Sequence, residues 1–229
     1  MRYIQIITIV AAIVAASCTN REKNTEKEID YDSLTAEEML AVMRADTSWT
    51  RELDSMAQIA IGPGAKCIDP VWHLFSYDGR FWLFGQDWGG VLEIPEGYIP
   101  EDDYTQTHLS FHGTSANSPD SLIRISFYEG FQAFEYDEFI ENTCSGLLKD
   151  YFTIDDKTIK DSILTIRAHN DFGINYYGKY MYKDSCSVEH IAVVQYPDNR
   201  KEEGEAIIPM VNRYPAGPNG KIYVGWAIQ

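Results

Sequence analysis

From residue 71 onward, most of the sequence consists of short strand-like apolar segments separated by turn-forming residues, and the segment 122–127 has a clear period of two. Alternation of this kind places one row of apolar side chains on a single face of a β-strand, as Ile123, Ile125 and Phe127 illustrate. Asp78-Gly79 lies between two such segments and predicts a tight hairpin, because glycine accepts a positive φ. The predicted strands are 71–77, 80–84, 91–94, 105–111, 122–127, 163–168, 174–182, 187–196 and 222–228. The protein is therefore expected to be built largely on an antiparallel sheet.

Other segments have apolar residues at helical spacing. Residues 34–64 are predicted to form a helical pair that begins at the Thr-x-x-Glu capping box 35–38. The apolar stripe of its second helix consists of Trp49, Leu53, Met56 and Ile59. This stripe is expected to pack on the main domain, with a partner-binding helix as the alternative. Residues 135–151 carry the clearest helical pattern, and residues 203–214 a shorter one in which Pro209 is compatible with a helix only in the first turn.

The order of these elements predicts the fold class. A block of strands, one long helix, a second block of strands and a final helix indicate an α+β protein with an antiparallel β-sheet and flanking helices. The helical pair precedes the sheet. The expected domains are therefore the pair at 34–64 and an α+β domain at 65–229, and the sequence shows no internal repeat.

The middle of the chain resembles a known family. The elements that carry the resemblance are the motif Ile-Pro-Glu-Gly-Tyr at 94–98, the strand at 123–127, the helix at 135–151 and the hairpin that ends Val-Gln-Tyr-Pro at 194–197. They resemble the PsbP/Mog1-like family over residues 91–214, which implies an α/β/α sandwich. Members of that family are mostly non-enzymatic binding or assembly factors, often lumenal, periplasmic or lipid-anchored. The helical pair and the hairpin at 71–84 lie outside the family pattern.

The first 17 residues form a candidate targeting segment. Arg2 precedes an apolar run and then small residues, which is the organisation of a secretory signal. The run is shorter than the ~20 apolar residues of a membrane-spanning helix. It ends in Ala-Ala-Ser-Cys at 15–18, which resembles the bacterial lipoprotein signal, in which the cysteine is lipidated and becomes the new N-terminus. A plain secretory signal with an incidental Cys18 is the alternative.

Lipidation of Cys18 implies a membrane as the first partner of the protein. Two acyl chains are sufficient for stable anchoring, since each buried CH₂ group contributes ~0.8 kcal/mol. The residue after the cysteine is Thr19 and not Asp, which by resemblance to bacterial sorting signals implies the outer membrane, with the protein facing the periplasm or the cell surface. Residues 18–33 are polar and charged without apolar periodicity, and are expected to be a tether.

The charge of the chain excludes one class of partner. Of 229 residues, 19 are Lys or Arg and 35 are Asp or Glu, which gives a formal net charge of −16. A nucleic-acid binder needs a basic surface to meet phosphate, so no nucleic-acid partner is expected. The 45% hydrophobic and 13% aromatic content also excludes a disordered acidic tail.

Three cysteines follow the lipidation candidate: Cys67, Cys144 and Cys186. An oxidising compartment allows one disulfide, for which Cys144 and Cys186 are the candidate pair, and leaves one thiol. Spacing does not determine the pairing, and three unpaired thiols are an equal alternative. Cys144 lies on the helical pattern rich in apolar residues, which favours a core thiol over a nucleophile.

The histidines and acidic runs do not form a metal or catalytic motif. His108 and His112 have a metal-binding spacing for a helix, but their segment is strand-like, which favours surface histidines. The acidic runs 101–103 and 155–156 are interpreted as solvated loops, and 171–173 as a turn, since the kinase motifs that accompany Asp-Phe-Gly are missing from the sequence. The isolated histidines His73, His169 and His190 are interpreted as structural. No catalytic residue, metal site or cofactor is therefore predicted.

One aromatic loop is the candidate binding site. Trp88 lies with Gln86 and Asp87 in the glycine-flanked segment 85–90, where an aromatic ring has little reason to join a core. An exposed tryptophan beside Asp and Gln suits stacking on a sugar ring or anchoring a protein partner. Trp82, on the preceding predicted strand, completes the candidate binding set.

Two functions are compatible with these features. The first is a non-enzymatic envelope lipoprotein that binds a protein, peptide or glycan through the aromatic loop or an open face of the sheet. The second is an envelope hydrolase directed at glycans or peptides, because glycosidases distribute their carboxylate pair along the chain, where no motif reveals it. The lack of a clustered catalytic motif in the sequence favours the first.

Overall fold

The computed structural model describes residues 34–85, 90–103, 112–133, 151–184, 187–224 and 227–228. Its helices are α1 (Ala36–Ala45), α2 (Thr47–Ala60) and α3 (Lys201–Arg213), the last preceded by a 3₁₀ turn at Asp198–Arg200. Its strands are β1 (Lys66–Asp69), β2 (Leu74–Tyr77), β3 (Arg80–Phe84), β4 (Val91–Ile94), β5 (Ile99–Asp103), β6 (His112–Asn117), β7 (Arg124–Ala133), β8 (Thr153–Lys160), β9 (Ile163–His169), β10 (Ile174–Asp184), β11 (Ser187–Pro197), β12 (Tyr223–Val224) and β13 (Ala227–Ile228). The chain divides into two units, residues 1–39 and residues 40–229.

The predicted helical pair is present, and side chains cap both N-termini. At the start of α1, the Glu38 amide donates to the Thr35 hydroxyl at 3.3 Å, and the Glu38 carboxylate accepts from the Thr35 amide at 2.8 Å. This reciprocal pattern is a capping box, as the sequence predicted. At the start of α2, the Asp46 carboxylate accepts from the amides of Ser48 and Trp49 at 2.8 and 3.1 Å. Two amides without a helical partner are thereby satisfied.

Four strands form a small antiparallel sheet in the order β1-β2-β3-β4. Strands β2 and β3 form the predicted hairpin, with Tyr77 opposite Arg80. The two residues between them, Asp78 and Gly79, have φ values of 51° and 71°. A positive φ at both positions is what a type I′ turn requires, and this confirms the hairpin prediction.

Seven strands form a second antiparallel sheet in the order β5-β6-β7-β11-β10-β9-β8. Strands β10 and β11 form a long hairpin, which pairs Ile174 with Pro197 at one end and Asp184 with Ser187 at the other. The α+β class with antiparallel strands and flanking helices is thereby confirmed. The division into two sheets was not predicted, because alternation defines the two faces of a strand but not the strand that lies beside it.

Helix α3 lies where the two sheets meet. One apolar cluster combines β3 and β4 of the small sheet, β7 and β11 of the large sheet, and α3. A second cluster covers the other face of the large sheet, and a third joins α2 to the other face of the small sheet. Representative buried members are Leu83, Ile125 and Val211 in the first cluster, Leu164 and Ile166 in the second, and Leu53 and Phe75 in the third. Each fully buried aliphatic side chain stabilises the fold by roughly 1.5–3 kcal/mol.

The apolar stripe of α2 packs on the small sheet, as the sequence predicted. Leu53 is buried, and Trp49 and Met56 are half-buried against the same cluster. Ile59 is the exception, with 50% of its side chain exposed. Helix α1 differs from α2, because none of its residues is buried.

Two acidic runs lie in strands and not in the loops predicted for them. Residues 101–103 belong to β5 and residues 155–156 to β8, the two edge strands of the large sheet. Charged residues are typical of edge strands, where they discourage pairing with another chain. The sequence did not predict β8, because nearly all of its residues are exposed and no row of apolar side chains marks either face.

Pro209 lies in the interior of α3 and not in its first turn. The helix predicted at 203–214 is present and begins at Lys201, so the expectation that Pro209 is compatible only with a first turn is wrong. The proline lacks the amide that would bond to the carbonyl of Glu205. Its side chain is exposed while Ile207 and Ile208 are buried, so the apolar stripe of the helix is retained.

Three further predicted elements have different outcomes. The strand at 105–111 lies outside the described residues, as does the helix at 135–151 except for Tyr151. The single strand predicted at 222–228 is instead two short strands, β12 and β13, which pair with each other.

Candidate functional site

The predicted binding loop is described only at its base. Gln86, Asp87 and Trp88 lie outside the described residues. On either side of them, the Gly85 amide donates to the carbonyl of Gly90 at 3.0 Å, which continues the β3–β4 pairing to the foot of the loop. Backbone hydrogen bonding therefore fixes where the loop leaves the small sheet.

Trp82 lies on β3 and belongs to the core. Its side chain is 1% exposed and packs in the cluster between α2 and the small sheet, with Leu53 and Phe75. The guanidinium of Arg213 lies 5.9 Å from its ring centroid, a cation–π contact. In contrast to the binding role predicted for it, Trp82 offers no accessible ring to a ligand.

A buried lysine lies next to the base of the loop. The amide of Val91, which begins β4, donates to the carbonyl of Pro215 at 2.9 Å. Beside this contact, the Lys179 ammonium on β10 donates to the carbonyls of Asn212 and Tyr214 at 2.6 and 2.5 Å. These carbonyls lie at the C-terminal end of α3, where the helix dipole favours a positive charge. Burial lowers the pKa of Lys179 to about 8.

His190, on β11, lies beside this lysine and is 2% exposed. Its Nδ1 is 3.4 Å from the Tyr214 hydroxyl, and the two rings meet edge-on with centroids 5.6 Å apart. Its Nε2 has no hydrogen-bond partner in the part of the chain that the structure describes. Burial, reinforced by the charge of Lys179, lowers the pKa of His190 to about 4, so the imidazole is neutral at pH 7. We call Lys179, His190 and Tyr214 the buried polar cluster.

Glu93, on β4, is a buried carboxylate with 6% exposure. One of its oxygens forms an ion pair with Arg213 at the end of α3, and the other lies 3.4 Å from the guanidinium of Arg80. Because separate cations hold the two oxygens, the carboxylate links α3 to the small sheet. The two arginines offset the free-energy cost of burying the charge of Glu93.

A surface groove lies at the C-terminal end of α2. Its volume is about 320 Å³, at the lower end of the range for small-molecule sites. Its walls combine the ring of Tyr77, the apolar residues Pro63 and Pro218, and the polar residues Gln58, Asn219 and Lys221. None of the described residues that line it is acidic.

Two glycines bring the walls of this groove together. A Cβ on Gly62 would lie 2.5 Å from the ring of Tyr77, so this ring packs directly on the backbone. A Cβ on Gly217 would lie 2.5 Å from the carbonyl oxygen of Ala60, at the end of α2. The turn that follows Gly217 approaches the helix end closely, and the Asn219 amide lies 3.5 Å from the Ala60 carbonyl. The groove is therefore formed by close backbone packing.

The other residues singled out in the sequence do not combine into a site. Those outside the described residues are Cys18, Cys144, Cys186 and His108, whereas His112 begins β6. Cys67 is a free thiol whose pKa is raised to about 12, mainly by burial. Within the described ranges, no three metal-ligating side chains lie close enough to hold a cation. No helix among these residues is long and apolar enough to cross a membrane.

The buried polar cluster was missed by reasoning from the sequence. Lys179 stands two residues after Tyr177, which is buried under α3. Since residues two apart share a face of a strand, a lysine at this position indicates a buried charge. The position of Lys179 indicates burial only when it is known which face of β10 is buried.

The comparisons with known proteins concern the fold. No family model matches the chain, and no curated protein matches it. Among solved structures, the chain is similar to the solution structure of cyanobacterial PsbP (CyanoP) from Synechocystis sp. PCC 6803, with a TM-score of 0.40 and 6% sequence identity. The similarity covers 55% of this chain and 85% of that chain. It is a distant likeness of fold alone, while the α+β architecture rests on the strands and helices described above.

Proposed function

We propose that the protein is a lipid-anchored lipoprotein of the bacterial cell envelope, attached to the outer membrane through Cys18. The observation that carries this proposal is the sequence Ala-Ala-Ser-Cys at 15–18, which follows an apolar run preceded by Arg2. Acyl chains on the cysteine supply the attachment. Thr19, in the position where Asp signals retention at the inner membrane, supports the outer membrane.

The rest of the chain suits a folded body held at a membrane by lipid. Residues 19–33 are polar and provide a tether between the anchored cysteine and the first described helix. The net charge of −16 disfavours direct contact with phosphate headgroups. Attachment through acyl chains does not depend on the charge of the protein surface.

Within the envelope, we propose that the folded part is a non-enzymatic module for binding or assembly. Two carboxylates of the described chain support this, the buried Glu93 and the partly exposed Glu205, because each is engaged by neighbouring side chains. Glu93 is paired with two arginines, and Glu205 accepts from Arg167 at 2.8 Å and from the Tyr196 hydroxyl at 2.6 Å. A glycosidase needs two carboxylates that face each other ~5–9.5 Å apart across a cleft. The groove described above has none among its described lining residues.

The aromatic loop at 85–90 is the proposed contact for a protein or glycan partner. Its base is fixed by the Gly85–Gly90 hydrogen bond and lies beside the end of α3. Tryptophan is among the residues that most often carry the binding energy of an interface, which favours its use as an anchor.

The lipid anchor is tested by the variant Cys18→Ser, expressed in a bacterium that is fed labelled palmitate. We expect loss of the label and a shift of the protein from the membrane fraction to the soluble fraction. Cys67→Ser is the matched control, because this half-buried thiol lies in β1 and should leave both readouts unchanged. Unchanged labelling and fractionation of Cys18→Ser would show that the anchor is wrong.

The binding role of the loop is tested by capturing envelope proteins and glycans with the wild type and with Trp88→Ala. We expect the variant to lose a partner that the wild type recovers. Phe172→Ala is the control, because Phe172 is an aromatic residue with 91% exposure on a different turn. Equal recovery by wild type and Trp88→Ala would remove the loop as the binding site.

A further inference from the structure

We propose that the turn between β9 and β10, residues 170–173, binds a positively charged segment of a partner protein through the ring of Phe172. This turn is called the Phe172 turn below. It lies outside the aromatic loop at 85–90, so the inference goes beyond the proposed function. The features that support it are the exposure of the ring, the order of the backbone that carries it, and the carboxylates beside it.

The ring of Phe172 is unusually exposed for its size. It is 91% exposed, and Tyr151 is 69% exposed, whereas the other exposed large apolar side chains among the described residues lie between 45% and 59%. Both aromatic residues belong to the same end of the large sheet. Thr153, two residues after Tyr151, pairs with His169, which ends β9 just before the turn. Apolar surface gathered at one place in this way is typical of interaction sites.

The backbone of the Phe172 turn is fixed by hydrogen bonds. The side-chain oxygen of Asn170 accepts from the amides of Phe172 and Ile174 at 3.1 and 2.9 Å. The Gly173 amide donates to the Asn170 carbonyl at 3.0 Å, and the Asp198 amide donates to the Gly173 carbonyl at 2.8 Å. The backbone around the ring is therefore ordered before a partner binds, which lowers the entropic cost of binding.

Three carboxylates lie beside this turn. Asp171 belongs to the turn itself and is exposed. At the end of the turn, a Cβ on Gly173 would lie 3.0 Å from the Oδ2 atom of Asp198. At its start, a carboxylate oxygen of Asp155 lies 2.8 Å from the Nδ1 atom of His169. The apolar ring is therefore accompanied by negative charge.

The basic side chains on the elements next to this sheet end are close to other carboxylates. They are Arg200 beside Asp120 and Glu203, and Arg167 and Lys201 beside Glu205. Lys157 lies on β8, four residues further from this sheet end than Thr153. Among the described residues, no cation forms an ion pair with Asp171 or Asp198, so their charges are available to a partner.

An apolar ring with carboxylates beside it favours a cationic protein segment over other partners. A Lys or Arg side chain can lie over the ring of Phe172 and pair with the neighbouring carboxylates. A membrane surface presents phosphates, and a second copy of this chain would present the same carboxylates in an isologous contact, so like charges would meet in both cases. Small sugar units are bound mainly in concave sites, whereas this ring stands in solvent.

The Phe172 turn and the aromatic loop lie at opposite ends of α3. Asp198 belongs to the 3₁₀ turn before the helix, whereas the amide of Val91, at the base of the loop, contacts Pro215 just after the helix. The 13 residues of α3 separate the two places by ~20 Å, at 1.5 Å per residue. Phe172→Ala should therefore keep the partner that Trp88→Ala loses, and it remains a valid control for that experiment.

The test places the photoreactive residue p-benzoylphenylalanine at position 172 of the full-length protein and irradiates intact bacteria. The cross-linked product is digested, and the segment joined to position 172 is sequenced by mass spectrometry. We expect a segment of another protein that carries Lys or Arg within a few residues of the cross-link. The same photoreactive residue at position 159 is the control, because Ile159 is exposed at the opposite end of the large sheet. It should not cross-link to that segment.

The affinity is then measured by calorimetric titration with a synthetic peptide that has the sequence of the cross-linked segment. Phe172→Ala should weaken the binding about ten-fold or more, as the truncation of a central aromatic residue does. Asp171→Asn should weaken it about two- to five-fold, which is the range for an exposed ion pair. Ile159→Ala should bind as the wild type does. The far-ultraviolet circular dichroism of each variant shows whether it is folded.

Four results would overturn the inference. Position 172 cross-links to nothing, or to lipid or glycan, or to another copy of this chain, or to a protein segment without Lys or Arg. Equal affinity of Phe172→Ala and wild type for the peptide would also overturn it. Each of these outcomes is separable from the proposed function, because the Cys18→Ser and Trp88→Ala experiments do not involve the Phe172 turn.

Discussion

His190 makes the stability of this protein depend on pH. The imidazole is buried beside the Lys179 ammonium, and its pKa in the folded state is about 4, compared with 6.5 for an unperturbed histidine. The unfolded chain therefore binds a proton at a higher pH than the folded chain does. The contribution of neutral His190 to the unfolding free energy is fully present above pH 6.5. It decreases as the pH drops below that value and no longer changes below about pH 4.

The magnitude follows from these two pKa values. Between pH 7.5 and pH 5, one histidine with this shift removes roughly 2 kcal/mol of unfolding free energy. The Nδ1 atom of His73 is also buried, and burial lowers the pKa of this histidine to about 4. The two histidines together should therefore account for roughly 4 kcal/mol over this interval. Replacing either of them should halve that contribution.

The assay is urea unfolding followed by tryptophan fluorescence at pH 7.5 and pH 5, for wild type, His190→Gln and His73→Gln. The quantity compared is the loss of unfolding free energy between the two pH values, so a variant that is less stable at both still gives a result. We expect this loss to be about 2 kcal/mol smaller in each variant than in wild type. His169→Gln is the control, since His169 is exposed and pairs with Asp155 at the surface.

The reasoning would be refuted if wild type and His190→Gln lost the same free energy between pH 7.5 and pH 5. That result would mean that the folded protein accepts a proton on His190 as readily as the unfolded chain does. If only His73→Gln lost less unfolding free energy than wild type, the pH dependence would come from His73 and not from the buried polar cluster.

Two further predictions concern the packing of α3. Lys179→Met keeps the length of the side chain but leaves the two carbonyls at the end of the helix without their donor. We therefore expect urea unfolding at pH 7 to show a loss of about 2–4 kcal/mol in unfolding free energy. A loss below about 1 kcal/mol would contradict this account. Gly204→Ala would place a Cβ 2.1 Å from the ring of Tyr196, and overpacking of this kind costs about 1–3 kcal/mol. A thermal midpoint for Gly204→Ala equal to that of Lys201→Ala, an exposed substitution in the same helix, would show that the ring moves aside freely.

The strands that could be predicted are those with a row of buried apolar side chains on at least one face. Residues Ile123, Ile125 and Phe127 alternate because one side of β7 faces the core, and this alternation is visible in the sequence. Strands β1, β5 and β8 lie at the edges of their sheets and were not predicted. An edge strand keeps backbone pairing on one side while many of its side chains meet water, so its composition resembles that of a loop.

The candidate site was predictable only in part. The Gly-flanked loop with Trp88 stood out because tryptophan is unusual among turn residues, although its side chains lie outside the described residues. The buried polar cluster and the groove were not predictable. Lys179 meets the end of α3 more than thirty residues further along the chain, as its hydrogen bonds to Asn212 and Tyr214 show. No local pattern records a contact at that separation.

By itself, the sequence determined the class of the fold, the hairpin at Asp78-Gly79, the capping box at 35–38 and the expectation of a lipid anchor at Cys18. These features depend on turn geometry, capping and alternation among residues close in sequence, so a short segment of the sequence is enough to predict them. The tertiary structure decided that the strands form two sheets, that Trp82 is enclosed, and that a lysine and a histidine are buried at the end of α3. These features depend on which distant segments exclude water from one another, and that is settled only when the chain has folded.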